Sequence, residues 1–174
     1  MKRRSHPKDS NISNGRLAHW LITLSQRRTP GLFRIYTAYL NCDLGAALPD
    51  SIFLPHPFGI VVSSGVTFGD DVVIGHQVTI GNRNGIMATP KIGNRVYIGA
   101  GAKILGPVTI GDDAMIGANA VVMAQTGVPS SLPGGKVYFG YPAEEAVAKK
   151  RELVWIKRIP EMWEMLKKGN NKEQ

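Results

Sequence analysis

Residues 92–122 read IGNRVYIGAGAKILGPVTIGDDAMIGANAVV, and an aliphatic residue returns at every sixth position of this stretch. The same spacing extends upstream and downstream of it, and a second small apolar residue follows four positions after most of these. A fixed short period with one apolar position per unit is typical of a stacked repeat. The first positions of the units are Val62, Phe68, Ile74, Ile80, Ile92, Ile98, Ile104, Ile110, Ile116, Val122 and Val128.

A period of six excludes the two common regular structures. An α-helix has about 3.6 residues per turn, so apolar residues at every sixth position would be spread around its surface. A single long strand would make every second residue apolar, which the acidic pairs Asp70-Asp71 and Asp112-Asp113 contradict. The pattern therefore predicts a mainly β fold of short strands and turns, in which three units close one triangular coil and the first positions stack in its interior.

The sequence divides into four predicted segments. The central one is the β-helix, which carries the candidate site, and it is flanked by a cap at its N-terminal end and a helix at its C-terminal end. Basic and polar residues without an apolar run predict disorder at the start of the chain. The segments are a disordered basic tail at 1–15, a helical cap at 16–43, the β-helix at 44–140, and a C-terminal helix and tail at 141–174.

Helical spacing of apolar residues marks the flanking segments. It predicts one helix over 16–27 and a second over about 32–40. Gly134-Gly135 is predicted to end the coil, and the C-terminal helix to be interrupted near Pro160, because proline lacks the N–H that continues a helix.

The repeat has one irregular interval, between Ile80 and Ile92. Ile86 is in phase with the repeat, which is compatible with an ordinary side of the coil. The run of polar residues and glycine that begins at Asn82 favours instead a loop over 82–91 that is pushed out from the coil. Loops on rigid scaffolds often carry function.

Charge is unevenly distributed along the chain, whose net charge is +8. Residues 1–40 carry eight basic and one acidic side chain, whereas 41–143 carry five and six. Basic ends could attract nucleic acid, anionic lipid or an acidic ligand. Aromatic residues are not interleaved with the basic ones as in nucleic-acid motifs, so no nucleic-acid partner is predicted. A basic N-terminal foot on a membrane surface remains the alternative to a simple cap.

A single cysteine, Cys42, excludes an internal disulfide framework and a cysteine-rich metal site. The first fifteen residues contain no apolar run of the kind found in a signal peptide. The predicted location is therefore cytoplasmic, with a peripheral membrane position as the alternative.

His56 is the candidate for chemistry among the four histidines. It stands between Pro55 and Pro57, which fix the backbone on both sides and would hold the imidazole in one direction, as a general base requires. The alternative is a corner histidine that is hydrogen-bonded to backbone. His76 occupies an outward position of its unit, which is typical of a polar surface residue.

Three motifs resemble one known family. HPFGIVV from His56, IGAGAKILG from Ile98 and GYPAEE from Gly140 are similar to the catalytic domain of serine acetyltransferases and of the related acetyltransferases of capsule and exopolysaccharide synthesis. The similarity covers about residues 41–145. It implies a left-handed parallel β-helix of the hexapeptide-repeat type, a homotrimer, acetyl-CoA as the co-substrate, direct acetyl transfer to a hydroxyl, and no metal.

The resemblance also assigns roles. His56 falls on the catalytic base, and the acidic residue that orients it falls on Asn41 without a gap or on Asp43 if two residues are missing. Asp43 is preferred because a carboxylate better stabilises a developing imidazolium. The predicted acceptor site consists of His76, Arg83 and Asn84. The predicted cofactor site consists of Gly81, Ala100, Gly101, Ala102, Ala118, Tyr141, Pro142, Ala143, Lys149 and Lys150; for the two lysines the alternative is a solvated helix face.

Departures from the serine enzymes bear on the acceptor. Their Arg-His pair before Pro-Lys-Ile is replaced by Ala88-Thr89, and the acidic residue before the base is replaced by Pro55. Without these charged groups, the two opposite charges of an amino acid lose their salt-bridge partners, which weakens its recognition. A sugar hydroxyl of a polysaccharide precursor is therefore the predicted acceptor. Serine is the alternative, and a non-catalytic or metal-binding β-helix is the third hypothesis.

Overall fold

The computed structural model of the chain describes residues 14–27, 30–83, 87–124, 126–128, 132–133 and 135–170. Short strands, each two or three residues long, follow one another around a coil. They are β1 Asp43–Leu44, β2 Val61–Val62, β3 Thr67–Phe68, β4 Val73–Ile74, β5 Thr79–Gly81, β6 Lys91–Ile92, β7 Tyr97–Ile98, β8 Lys103–Leu105, β9 Thr109–Ile110, β10 Met115–Ile116, β11 Val121–Val122, β12 Gly127–Val128, β13 Val137–Phe139 and β14 Glu144–Glu145.

The strands form three sheets, one on each side of the coil. The first sheet has the order β1-β2-β5-β8-β11-β13-β14, the second β4-β7-β10 and the third β3-β6-β9-β12. The pairings between these strands are parallel, except that β13 and β14 are antiparallel. Strands three apart along the chain are neighbours from β2 to β12, so each coil has three sides, as the period of six predicts.

The first positions of the repeat stack in register inside the coil. In the first sheet Val62 pairs with Ile80, Ile80 with Ile104, and Ile104 with Val122. All four side chains are buried, as are Ile74, Ile98 and Ile116 of the second sheet. Full burial of one such side chain is worth about 1.5–3 kcal/mol. These interior ladders, predicted from spacing alone, are the core of the protein.

One coil is longer than the others. Val62 pairs with a residue eighteen positions later, whereas Ile80 pairs with Ile104, twenty-four positions later. Six more residues than in a regular coil therefore lie in the chain between Gly81 and Lys91, and 84–86 of the predicted loop lie outside the described residues. The Thr89 hydroxyl donates to the Gly65 carbonyl oxygen at 2.7 Å and fixes the returning chain.

Two helices, α1 Arg16–Arg27 and α2 Pro30–Tyr39, precede the coil. Leu21 of α1 is fully buried in the same hydrophobic cluster as Leu48 and Ile52 of the first coil. The Asn14 side chain accepts a hydrogen bond from Leu54 N at 2.8 Å and donates one to Ile52 O at 2.7 Å. These contacts satisfy backbone groups that an open coil end would leave unpaired.

Two expectations for the C-terminal end are wrong. The coil continues past Gly135, because β13 adds to the first sheet and its Tyr138 is buried beneath Val122. The C-terminal helix α3, Ala146–Asn170, runs through Pro160 without a break. Side chains from 147 to 167 are almost all exposed, so water can take the carbonyl hydrogen bond that Pro160 cannot make. Among the helices within the described ranges, none is both long enough and apolar enough to cross a bilayer.

Candidate active site

One corner of the coil, between the second and first sheets, is a column of equivalent turns. Residues with positive φ stack there on successive coils, and each N–H donates to the carbonyl preceding the equivalent residue of the coil before. Gln77 N donates to Phe58 O at 2.9 Å and Gly101 N to His76 O at 2.9 Å. The stacked residues are Asn41, Gly59, Gln77, Gly101 and Asn119. We call this column, with the residue preceding each turn, the histidine corner.

His56 enters the histidine corner on a fixed turn. Phe58 N donates to His56 O at 2.8 Å, which closes the turn between two prolines. The Cys42 thiol lies 3.5 Å from Pro57 O, and Ile60 N donates to its sulfur at 3.4 Å. Burial raises the pKa of Cys42, so this thiol stays protonated and acts as a clamp on the turn.

The two central histidines face one open groove with a volume of about 420 Å³. Their ring centroids are 6.0 Å apart in an edge-to-face arrangement, with an interplanar angle of 73°. Both side chains are exposed, and neither imidazole has a hydrogen-bond partner among the described residues. A hydroxyl compound in the groove could therefore reach a free ring nitrogen. The groove is lined by Tyr39, Leu40, Asn41, His56, Phe58, Gly59, His76 and Gln77.

The two alternatives for a residue that orients His56 lie in different places. Asn41 lines the groove with His56. Asp43 is in β1, where its N–H donates to Ile60 O at 2.9 Å and its side chain is exposed, and it is not among the lining residues. Asn41, rather than the preferred Asp43, thus lines the groove that holds the predicted base. The role of either residue stays a prediction.

Of the three predicted acceptor residues, His76 lies in the groove. Arg83 is exposed near Gly106, at the corner between the first and third sheets, and does not line the groove. Asn84 lies outside the described residues.

Eight of the ten predicted cofactor residues fall into two groups on opposite edges of the first sheet. One edge is the row of strand N-termini and the other is the row of strand C-termini. Ala100, Gly101, Ala102 and Ala118 belong to the histidine corner or adjoin it on the coils that follow His76. Gly81, Tyr141, Pro142 and Ala143 lie at the other edge, beside the six-residue insertion or near Gly127. A single chain does not bring the two groups together.

The Tyr141 ring lies against the backbone of Gly127, where a Cβ would overlap it. The Tyr141–Pro142 peptide bond is cis, and Ala143 N donates to Gly127 O at 2.8 Å. Glycine at 127 is therefore required for this close approach. The predicted exit motif is held on the coil by its own contacts.

The two predicted lysines have different environments. Lys149 Nζ lies 2.7 Å from a Glu152 oxygen and 3.1 Å from a Glu144 oxygen. The hydrogen bond to Glu152, and to a lesser extent the one to Glu144, raises the pKa of Lys149. Both bonds occupy its ammonium group. Lys150 is exposed next to Arg151 on the outer face of α3. Lys150 is thus the more available of the two for an anionic ligand.

Sequence reasoning missed part of the groove. Tyr39 and Phe58 are aromatic side chains that are 73% and 46% exposed there, and the exposed Gln77 also lines the groove. Asn41, Phe58 and Gln77 follow one another at intervals of 17 and 19 residues, about one coil each, so an alignment of the turns could have indicated that they meet. Tyr39 belongs to a helix and carries no such signal.

Comparison with known proteins gives consistent relatives. The family model described as bacterial transferase hexapeptide (six repeats) matches residues 89–124. Serine acetyltransferase of Mycobacterium tuberculosis is 40% identical over 135 residues, covering 74% of this chain and 56% of that protein. The putative colanic acid biosynthesis acetyltransferase WcaB of Escherichia coli K12 is 36% identical over 122 residues, covering 68% of this chain and 72% of that protein.

Among solved structures, serine acetyltransferase isoform 3 of Entamoeba histolytica, in complex with cysteine, superposes with a TM-score of 0.53 at 26% identity. The match covers 81% of this chain and 50% of that one. The chain therefore spans about half the length of the serine acetyltransferases it matches.

Proposed function

This chain belongs to the hexapeptide-repeat acetyltransferases, and from that premise we propose that it transfers an acetyl group from acetyl-CoA to a sugar hydroxyl. The observation that carries the proposal is the pair of exposed imidazoles, with centroids 6.0 Å apart, in an open groove. The coil is proposed to be left-handed, as the resemblance implies.

In the proposed mechanism, His56 acts as the general base. Its ring nitrogen takes the proton from the acceptor hydroxyl while the hydroxyl oxygen attacks the thioester carbonyl. The proton then passes from His56 to the departing thiolate of coenzyme A. Because the acceptor itself attacks the thioester, no covalent enzyme intermediate forms. Backbone N–H groups stabilise the negative oxygen of the tetrahedral intermediate. The prolines and the Cys42 clamp keep the imidazole aimed at the groove.

Two features of the groove, and one at residues 88 and 89 outside its lining, favour a sugar over an amino acid. Tyr39 and Phe58 offer exposed aromatic surface, on which the C–H face of a pyranose ring can stack. The residues at 88 and 89 are alanine and threonine, and the Thr89 hydroxyl is already bound to Gly65 O. No acidic residue lines the groove in the described part of the chain. A free amino group would therefore lack a partner for its charge.

Acetyl-CoA is proposed to lie between two subunits of a homotrimer. The predicted contacts occupy two edges of the first sheet, represented by Ala100 and Tyr141, and parallel packing of three chains would bring one edge of each chain to the other edge of its neighbour. Lys150 lies near the exit motif and is proposed to meet the 3′-phosphate. Light scattering tests this arrangement, and a stable monomer at micromolar concentration would contradict it.

Serine is the second candidate acceptor, because serine acetyltransferases are among the relatives. The experiment measures thiol release from acetyl-CoA with free serine, with a panel of monosaccharides and nucleotide sugars, and with oligosaccharides. We expect turnover with a sugar acceptor and little with serine. Efficient turnover of serine alone would overturn the sugar assignment, whereas no turnover with any acceptor would contradict the transferase proposal.

Within the serine alternative, the Ala88→Arg, Thr89→His double variant is informative. Restoring the pair that serine acetyltransferases carry should raise any trace activity on serine while leaving the apparent affinity for acetyl-CoA unchanged. The matched control is Met87→Ala, at an exposed position next to the pair.

A further inference from the structure

The part of α3 from Trp155 onward presents an apolar stripe to solvent. Trp155, Ile159, Met162, Trp163 and Leu166 recur at spacings of three and four residues, which places them on one face of the helix. All five are exposed, with 60% for Trp155, 57% for Ile159 and 58% for Trp163. The helix meets the β-helix through β13 and β14, which adjoin its N-terminal end. The stripe lies beyond that contact.

Cations border the stripe. The Arg158 guanidinium lies over the Trp155 ring, 5.7 Å from its centroid, and the Lys167 ammonium lies 5.5 Å from the centroid of Trp163. Each also has an exposed glutamate partner on α3, Glu161 at 3.9 Å from Arg158 and Glu164 at 3.3 Å from Lys167. Over its whole length α3 carries seven basic and three acidic residues. A helix with tryptophan and aliphatic residues on one face and an excess of cations around it has the composition of an interfacial membrane helix.

Charge decides between the two simplest occupants of the stripe. If copies of α3 packed on one another, each helix would bring seven basic and three acidic residues to the contact, and this shared positive charge is unfavourable. Against an anionic bilayer the same cations meet phosphate groups, while their aliphatic stems lie along the apolar surface. Tryptophan is also favoured at the boundary between headgroups and acyl chains.

We propose that α3 lies in the plane of an anionic membrane surface, with its apolar stripe among the acyl chains and its cations at the lipid phosphates. This contact is separate from the groove and does not depend on the acetyltransferase proposal. It is also distinct from the basic N-terminal segment, because it requires apolar insertion as well as charge.

The test uses the full chain and vesicles of two compositions, phosphatidylcholine alone and an equal mixture with phosphatidylglycerol. We expect co-sedimentation with the anionic vesicles, weaker binding as salt is added, and a shift of tryptophan emission to shorter wavelength. Ile159→Glu should lower the affinity for anionic vesicles by about tenfold or more, because it places a charge in the stripe. Circular dichroism verifies that the exposed substitution leaves the fold unchanged.

Lys157→Gln is the matched control. It removes one positive charge, as Ile159→Glu adds one negative charge, but it lies on the opposite face of α3. We expect its affinity to fall by less than about fivefold. The proposal is overturned if the chain does not bind anionic vesicles at low salt, or if Ile159→Glu binds them as well as the unmodified chain. It is also overturned if Ile159→Glu reduces the size of the assembly in sedimentation velocity, because copies of the chain then cover the stripe.

Discussion

Replacing His56 with alanine separates the chemistry of the groove from the stability of the fold. General-base catalysis supplies about 10²–10⁴ in rate, which corresponds to about 2.7–5.5 kcal/mol of activation free energy. The imidazole is exposed and has no hydrogen-bond partner in the described part of the chain. Its removal should therefore change the free energy of unfolding by no more than about 0.5 kcal/mol, or about 2 °C in Tm.

The assay is thiol release at saturating acceptor, with Tm and the KM for acetyl-CoA measured on the same preparation. His56→Ala should lower kcat by at least about a hundredfold with little change in the other two quantities. His76→Ala is the control, because that ring lies in the same groove and is also exposed. We expect it mainly to raise the KM for the acceptor. If His76→Ala abolishes turnover and His56→Ala leaves most of it, the base is misassigned.

Three further substitutions test the groove, the core and the corners. Phe58→Ala should raise the KM for a sugar acceptor by about tenfold through lost apolar contact, without affecting the KM for acetyl-CoA; an unchanged acceptor KM would remove Phe58 from the site. Ile98→Ala should cost about 2–5 kcal/mol and lower Tm by about 4–20 °C, whereas the exposed Ile159→Ala should change Tm little. Hydrogen bonds from Asn94 hold the pKa of Asp112 below its ordinary value, so their stabilisation is present at neutral pH and is lost as pH falls below about 4; urea unfolding should show a weaker dependence on pH in this range for Asp112→Asn.

The interior of the coil was predictable because it depends on spacing alone. A period of six leaves one way to bury Ile98 and its equivalents, and the observed register is the predicted one. The C-terminal end was less predictable because tertiary context decides it there. Tyr138 occupies an interior position after the repeat pattern has ended, and solvent exposure lets α3 accept Pro160.

The site was predictable only in part. The two prolines indicated His56. Its distance from His76, however, depends on how residues 44–61, which lack clear repeats, join the first regular coil. Tyr39 reaches the groove from the end of α2, a relation between a helix and a turn that no periodicity encodes. The two groups of predicted cofactor residues come from distant parts of the chain, and their positions on opposite edges of a sheet emerge only from the strand order.

The long coil makes the protein tolerant of change at one place. Gly81 and Lys91 each pair with parallel strands of adjacent coils. The segment that joins them can therefore gain or lose residues without changing the register of the strands. Doubling the length of such a segment costs only about 0.6 kcal/mol of closure free energy. Related enzymes could therefore exchange this segment as a cassette, and a foreign peptide of ten or so residues could be displayed there on an unchanged scaffold.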